Sequence, residues 1–318
     1  MDKICVAVDL GGTSVKMGFF SQKGELLDKW EIPTRKEEAG SHILPDIATS
    51  ILKELSLRGI EKEAVIGIGI GVPGPVVLEK EVLQCVNLGW GHVAVAEELI
   101  KLTGIPIVKV ANDANVAALG EMWMGGGKGF MSIVMVTLGT GVGGGIIING
   151  EILSGSNGAA GEIGHITINL EEADACNCGK KGCLEQYASA TGIVKEAKRA
   201  LLASDEPSSL RSFSSLSAKS IFDEAKAGDS LALKMVDQLA KNLGIALAHV
   251  AHTVDPEAFV IGGGVSKAGN ILTKNIETYY NTYSMDALKN KTFTLATLGN
   301  DAGIYGSAKL IGANLFDE

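Results

Sequence analysis

The chain has 318 residues, room for two domains of ordinary size, and 46% of them are hydrophobic against 20% charged. A formal net charge of −9 with no basic run excludes nucleic acid and an anionic membrane as main partners. Five cysteines, an odd number with three of them clustered, point to metal and a reduced, cytoplasmic setting and away from a disulfide framework. The opening Met1-Asp-Lys-Ile has no charged region, apolar core or cleavage site of a secretory leader.

The predicted elements begin with an apolar strand at Ile4–Leu10, a Gly11-Gly12-Thr13 turn, a return strand at Val15–Phe20 and a third at Glu25–Ile32, an antiparallel meander. His42–Gly59 has helical spacing (Ile43, Ile47, Ile51, Leu55) and a terminal glycine. Val65–Gly71 reads as a strand buried on both faces, Val93–Gly104 as a helix and Ile107–Val110 as another strand. This order predicts a mixed sheet with helices packed on it, forming a first α/β domain over 1–111.

Asn112–Met124 then reads as a capped helix, with Asn112 or Asp113 as the cap. Phe130–Gly150 carries no charge and has the length of a membrane span, but five glycines between 139 and 145 break it into two strands and a turn. That strand–glycine turn–strand layout repeats the opening and suggests two related halves. Helices are predicted over 184–202, 217–227, 229–252 and 268–283, strands over 258–261 and 292–297, a Ser-rich loop over 204–217 and a last helix over 301–315. The second domain is placed at 112–300, with the C-terminal helix (about 301–318) returning to the first.

Four stretches carry chemistry. Asp9-Leu-Gly-Gly-Thr13 lies at the end of a buried strand, where small residues admit a polyphosphate and Asp9 is placed to hold Mg²⁺; a plain hairpin with a capping Asp explains it equally well. Leu138–Gly145 contains a formal G-x-G-x-x-G match, and so do Gly69, Gly71 and Gly74. A dinucleotide fold needs that turn to open a helix, whereas both continue into extended runs, so a nicotinamide-dependent oxidoreductase is set aside. Ile261-Gly-Gly-Gly-Val-Ser266 follows a strand and precedes a helix, a floor for an adenine or ribose or simply a packing turn. Asp113 is either a helix cap or a general base.

The strongest local signal is His165, Cys176, Cys178 and Cys183, one histidine and three cysteines within nineteen residues. This is the ligand set of a closed, structural zinc site with no open position for water. Glu162 and Glu185 lie just outside it, as carboxylates for a polyol. Cys5 and Cys85 read as buried thiols, and His249 and His252 as packing or solvent contacts.

Together these segments resemble the ROK family of sugar kinases and regulators, in the actin/hexokinase-like ATPase superfamily with its ribonuclease H-like fold, and within it the bacterial glucokinase branch. The likeness runs through Asp9–Thr13, Gly71–Gly74, Asn87–Trp90, Asn112–Asn115, Leu138–Gly145, Gly158–His165, the cysteine knuckle and Gly262–Gly264. It implies two domains closing on a cleft and ATP-dependent phosphorylation of glucose at the 6-hydroxyl. Asp113 would be the base. Asn112, Glu162, His165, Glu185 and Gly74 would line the sugar. Asp9 would neighbour Mg²⁺; Gly11, Gly12, Thr13, Thr140 and Gly141 would hold phosphates, and Gly262, Gly263 and Gly264 would border the adenosine. His165 would bind zinc through one ring nitrogen and sugar through the other. Kinases of N-acetylmannosamine, N-acetylglucosamine, fructose, mannose or allose are the neighbouring alternatives, and a non-catalytic sugar sensor the remote one. A repressor of this family needs a DNA-binding segment ahead of Asp9, for which the sequence has no room. The resemblance also implies a homo-oligomer, dimer or tetramer.

Overall fold

A computed structural model describes residues 3–312. In chain order the strands and helices are β1 (Ile4–Leu10), β2 (Ser14–Ser21), β3 (Leu26–Pro33), α1 (Glu37–Gly40), α2 (Ile43–Leu57), β4 (Val65–Val72), β5 (Val76–Val77), β6 (Glu81–Val82), α3 (Val95–Thr103), β7 (Val108–Asn112) and α4 (Asp113–Met124). They continue as β8 (Ile133–Leu138), β9 (Val142–Ile148), β10 (Glu151–Ile152), α5 (Glu185–Ala188), α6 (Ala190–Ala203), α7 (Ala218–Lys226), α8 (Ser230–Val254), β11 (Ala258–Gly262), α9 (Asn270–Tyr283), β12 (Thr292–Leu295) and α10 (Ala302–Gly312).

Contacts divide the described chain into two compact units: 3–129, 145–161 and 298–312 in the first, 130–144 and 162–297 in the second. Sequence reading put the break at 111/112. The contacts instead assign α4 to the first unit, because α4 packs on α10 through glycines. A Cβ on Gly306 would fall 1.6 Å from the Val116 carbonyl oxygen, and one on Gly120 would fall 2.2 Å from that of Ala302. Side chains at those positions would drive the helices apart.

The first sheet has the order β3-β2-β1-β4-β7, with β1, β2 and β3 antiparallel and β4 and β7 parallel to β1. Successive β1 residues point to opposite faces. Val6, Val8 and Leu10 pack in a core with Ile47 and Ile51 of α2 and Leu99 of α3, while Cys5 and Ala7 pack with Ile304 and Ala308 of α10. Two-sided burial explains the near-continuous apolar runs of β1 and β4.

The second sheet repeats the order as β10-β9-β8-β11-β12, with β11 parallel to both β8 and β12. All five β11 residues are buried. The charge-free 130–150 run is strands β8 and β9 and their turn, and no described helix is long and apolar enough to cross a membrane.

Several boundaries move. The helix expected over 184–202 is two, α5 and α6, divided at Ser189, whose extended backbone and side chain cap α6 through the Gly192 N–H. β9 starts at Val142, inside the glycine run, and a 3₁₀ turn at Gly264–Ala268 precedes α9. The Ser-rich loop holds a 3₁₀ turn at Ser209–Ser212. The expected last helix reaches 315, of which 313–315 lie outside the described residues.

Candidate active site

In the first unit the candidate residues gather at the carboxyl ends of β1, β4 and β7. Asp9 ends the buried run of β1, and burial pushes its carboxyl up from the ordinary range, opposed by the Lys16 ammonium. Such a group ionises most readily beside a further cation, as the Mg²⁺ reading requires. Gly303 of α10 lies against it, since a Cβ there would fall 2.4 Å from Asp9 Cγ. The Gly11–Ser14 turn closes through a Gly11 N–H donated to the Ser14 carbonyl at 3.0 Å.

Asn112 and Asp113 have separate tasks. Asn112 Oδ1 accepts the Ala114 and Asn115 N–H groups and caps α4, while its Nδ2 donates to the Gly74 carbonyl at 3.1 Å. Gly74 has φ +100°, and a Cβ there would meet the Gln84 carbonyl at 2.4 Å, so this turn needs glycine. Asp113 occupies the first helical position and accepts the Ala114 N–H through Oδ1 at 2.8 Å. The cap that sequence left open between the two is thus mainly Asn112.

In the second unit Glu185 ties a glycine turn to the cysteine cluster. Its Oε2 accepts the Val142 N–H at 3.0 Å, and its Oε1 lies 3.8 Å from Cys176 Sγ. A Cβ on Gly141 would fall 2.0 Å from that Oε2, which is why the turn has no side chain there. Thr191 Oγ1 donates to the Thr140 carbonyl at 2.6 Å and the Ala190 N–H to that of Gly139 at 2.8 Å. Gly263, at φ +83°, packs directly on the Leu138 backbone, 2.5 Å from its carbonyl oxygen to a would-be Cβ. Leu138, Gly139, Thr140, Phe222, Gly264 and Val265 line a cavity of about 440 Å³, as do Lys226, Lys267 and the ion-paired Lys219 and Asp223. An apolar slot floored by glycine suits a flat base, and Lys226 and Lys267 suit its phosphates.

The donor atoms of His165, Cys176, Cys178 and Cys183 all lie within 4.8 Å of one another. Cys178 and Cys183 sulfurs are 3.6 Å apart, and Cys176 Sγ is 3.8 Å from His165 Nδ1. Sulfurs about 2.3 Å from a tetrahedral Zn²⁺ sit about 3.8 Å from each other, so the set fits that ion. Burial pushes the Cys183 thiol up to about 12, and a bound cation is what would ionise it. His165 presents Nδ1 to the sulfurs and Nε2 to Glu162, whose Oε2 is 3.9 Å away. Gly164 lets this loop touch β9: a Cβ there would fall 2.1 Å from the Val142 carbonyl oxygen.

Sequence reading missed a second fastening of the same loop. Glu172, its side chain 2% exposed, accepts both Arg199 Nη groups (2.9 and 2.8 Å), Tyr187 Oη (2.5 Å) and the Asp174 N–H (2.9 Å). Arg199 is 27 residues away, so no local spacing announces the pair. The Arg199 guanidinium holds the Glu172 carboxyl far below the ordinary carboxylate range, and burial pushes the Tyr187 phenol up to about 12. A depressed carboxyl stabilises the fold fully above its unfolded pKa of about 4.3 and loses that contribution as pH falls toward its folded value. Glu172→Gln is therefore expected to cost about 3 kcal/mol at pH 7 and to flatten the fall in stability below about pH 4; urea titrations across that range check both. An unchanged acid limb would show that Glu172 does not govern it.

The chain belongs to the ROK family: the family's model matches residues 5–314. It is 46% identical over 315 residues to a glucokinase of Halalkalibacterium halodurans, covering 98% of this chain and 95% of that one. Among solved structures it resembles a ROK family glucokinase from Streptomyces griseus in complex with glucose and AMPPNP (33% identity, TM-score 0.72, 96% of this chain and 98% of that one). It also resembles a ROK hexokinase from Thermus thermophilus (31% identity, TM-score 0.80, 96% and 98%). The fold is that of the actin/hexokinase-like sugar kinases, and the protein is a sugar kinase of that class.

Proposed function

We propose that this protein transfers the γ-phosphoryl group of ATP to the 6-hydroxyl of glucose, giving glucose 6-phosphate and ADP. The observation that carries the reading is the convergence of His165 with three cysteines beside Glu162 and Glu185, in a chain 46% identical to a glucokinase. His165 Nδ1, Cys176, Cys178 and Cys183 would hold Zn²⁺, which would fix the imidazole tautomer, and His165 Nε2 would then carry the proton and donate to a sugar oxygen. Glu162 and Glu185 accept from ring hydroxyls, and the resemblance to ROK sugar kinases assigns Asn112 and Gly74 to the sugar as well. An epimer that leaves one of these groups unpaired loses about 1–3 kcal/mol.

Asp113 accepts the proton of the 6-hydroxyl as its oxygen attacks the γ-phosphorus. Gly12, Thr13, Thr140 and Gly141 offer backbone and hydroxyl donors to the phosphates, Gly11 admits them by having no side chain, and Gly262–Gly264 border the adenosine. Asp9 would hold Mg²⁺, directly or through water, and the ion would neutralise charge on the phosphates.

A coupled ADP-release assay with Mg-ATP and a panel of hexoses and N-acetylhexosamines tests this. The expected outcome is highest kcat/KM with glucose and product phosphorylated at the 6-position. Preference for N-acetylmannosamine, or another sugar of the panel, would keep the chemistry and replace the substrate.

A further inference from the structure

Thr34, the residue after β3, makes two hydrogen bonds to the Gly11–Ser14 turn. Its N–H donates to the Thr13 carbonyl at 2.9 Å and its Oγ1 to the Gly11 carbonyl at 2.8 Å. The Ser14 carbonyl is already engaged by the Gly11 N–H. Three carbonyls of one tight turn are therefore held by partners inside the protein. Among the described residues no hydrogen bond engages the N–H of Gly12 or Thr13. A turn so arranged turns acceptor oxygens inward and leaves its amides as donors, the polarity an anion needs.

We propose that Thr34 is a positioning residue for ATP: its hydroxyl holds the Gly11 carbonyl away from the phosphates and keeps the turn in its phosphate-accepting form. The proposal rests on the reading of Gly11–Thr13 as a phosphate turn and adds to it a residue just past the end of β3. Position 34 needs a hydroxyl for this. The backbone bond to Thr13 extends the β2–β3 ladder, in which Ser14 pairs with Pro33, and survives any side chain. The Oγ1 bond does not. Without it the Gly11 oxygen is released beside ligand oxygens that carry negative charge, and the turn gains freedom that ATP must remove on binding.

The test compares Thr34→Val, which keeps the branched shape and loses the donor, with Thr34→Ser, which keeps the donor. KM for Mg-ATP, KM for glucose and kcat are measured on the full chain, with Thr13→Val as reference for the turn. Thr34→Val is expected to raise KM for ATP about three- to tenfold, with glucose KM within about twofold, and Thr34→Ser to restore it. A structural role alone would move both substrates together and would not single out the hydroxyl. If Thr13→Val raises KM for ATP and Thr34→Val does not, the phosphate turn stands and the brace is overturned. If Thr13→Val has no effect, the turn does not meet phosphate and the proposal falls with that reading. Failure of Thr34→Ser to rescue also overturns it, because the effect would then belong to bulk at the site.

Discussion

Asp113→Ala is expected to lower kcat by a hundredfold or more while leaving glucose binding measurable by calorimetry. General base catalysis contributes about 10²- to 10⁴-fold, and the Asp113 carboxylate is the group assigned that proton. The variant is informative because the cap of α4 does not hang on Asp113 alone. Asn112 Oδ1 already accepts the Ala114 and Asn115 amides, so α4 keeps its cap when Asp113 is truncated. Asn112→Ala should show the reverse pattern, with about 1 kcal/mol of stability lost through the missing cap. Near-normal turnover in Asp113→Ala would remove it as the base. A collapse of both glucose binding and folding would mean that its role is structural.

Cys178→Ser is expected to abolish zinc binding and to loosen the 165–183 loop. Glucose KM should rise by more than tenfold, with KM for ATP little changed. Structural zinc contributes on the order of 10 kcal/mol where a fold depends on it. Here a bound metal would share the task with Glu172 and Arg199, so partial order should remain after its loss. Elemental analysis of the wild type should give one zinc per chain, and a strong chelator should reproduce the variant's kinetics. Wild-type protein free of zinc with full activity would end the assignment. Combining Cys178→Ser with Glu172→Gln should cost more than either change alone, because the two fastenings hold the same segment.

The sheets were legible because two-sided burial writes itself as continuous apolar runs. Val65–Gly71 and Ala258–Ile261 have few other readings. The cysteine cluster was legible because ligands of one metal lie close in sequence. What sequence could not show are partners joined only by the fold. The cap at Asn112 rather than Asp113 depends on where β7 ends and how the chain enters α4, and either side chain suits the position. Ser189 interrupts a stretch whose spacing is helical throughout, and its backbone reads as extended only once it caps α6. The assignment of α4 to the first unit rests on Gly120 and Gly306, which look like ordinary helix weaknesses until the close crossing with α10 is seen. Glu172 and Thr34 fall in the same class, each meeting a partner beyond the reach of any spacing rule.

The repeated strand order has an evolutionary consequence. One ancestral half-length unit, copied end to end, would give both sheets, β1 and β8 being corresponding strands and the Gly11–Thr13 and Gly139–Gly141 turns corresponding hairpins. The copies differ most after the third strand. β3 has eight residues, whereas β10 has two and is followed by a long excursion before α5. That excursion contains Glu162, His165 and three clustered cysteines, and it is fastened by the Glu172–Arg199 pair rather than by the strand ladder. On the proposed function, drift in that segment would change which sugar is recognised while both glycine hairpins stay as they are.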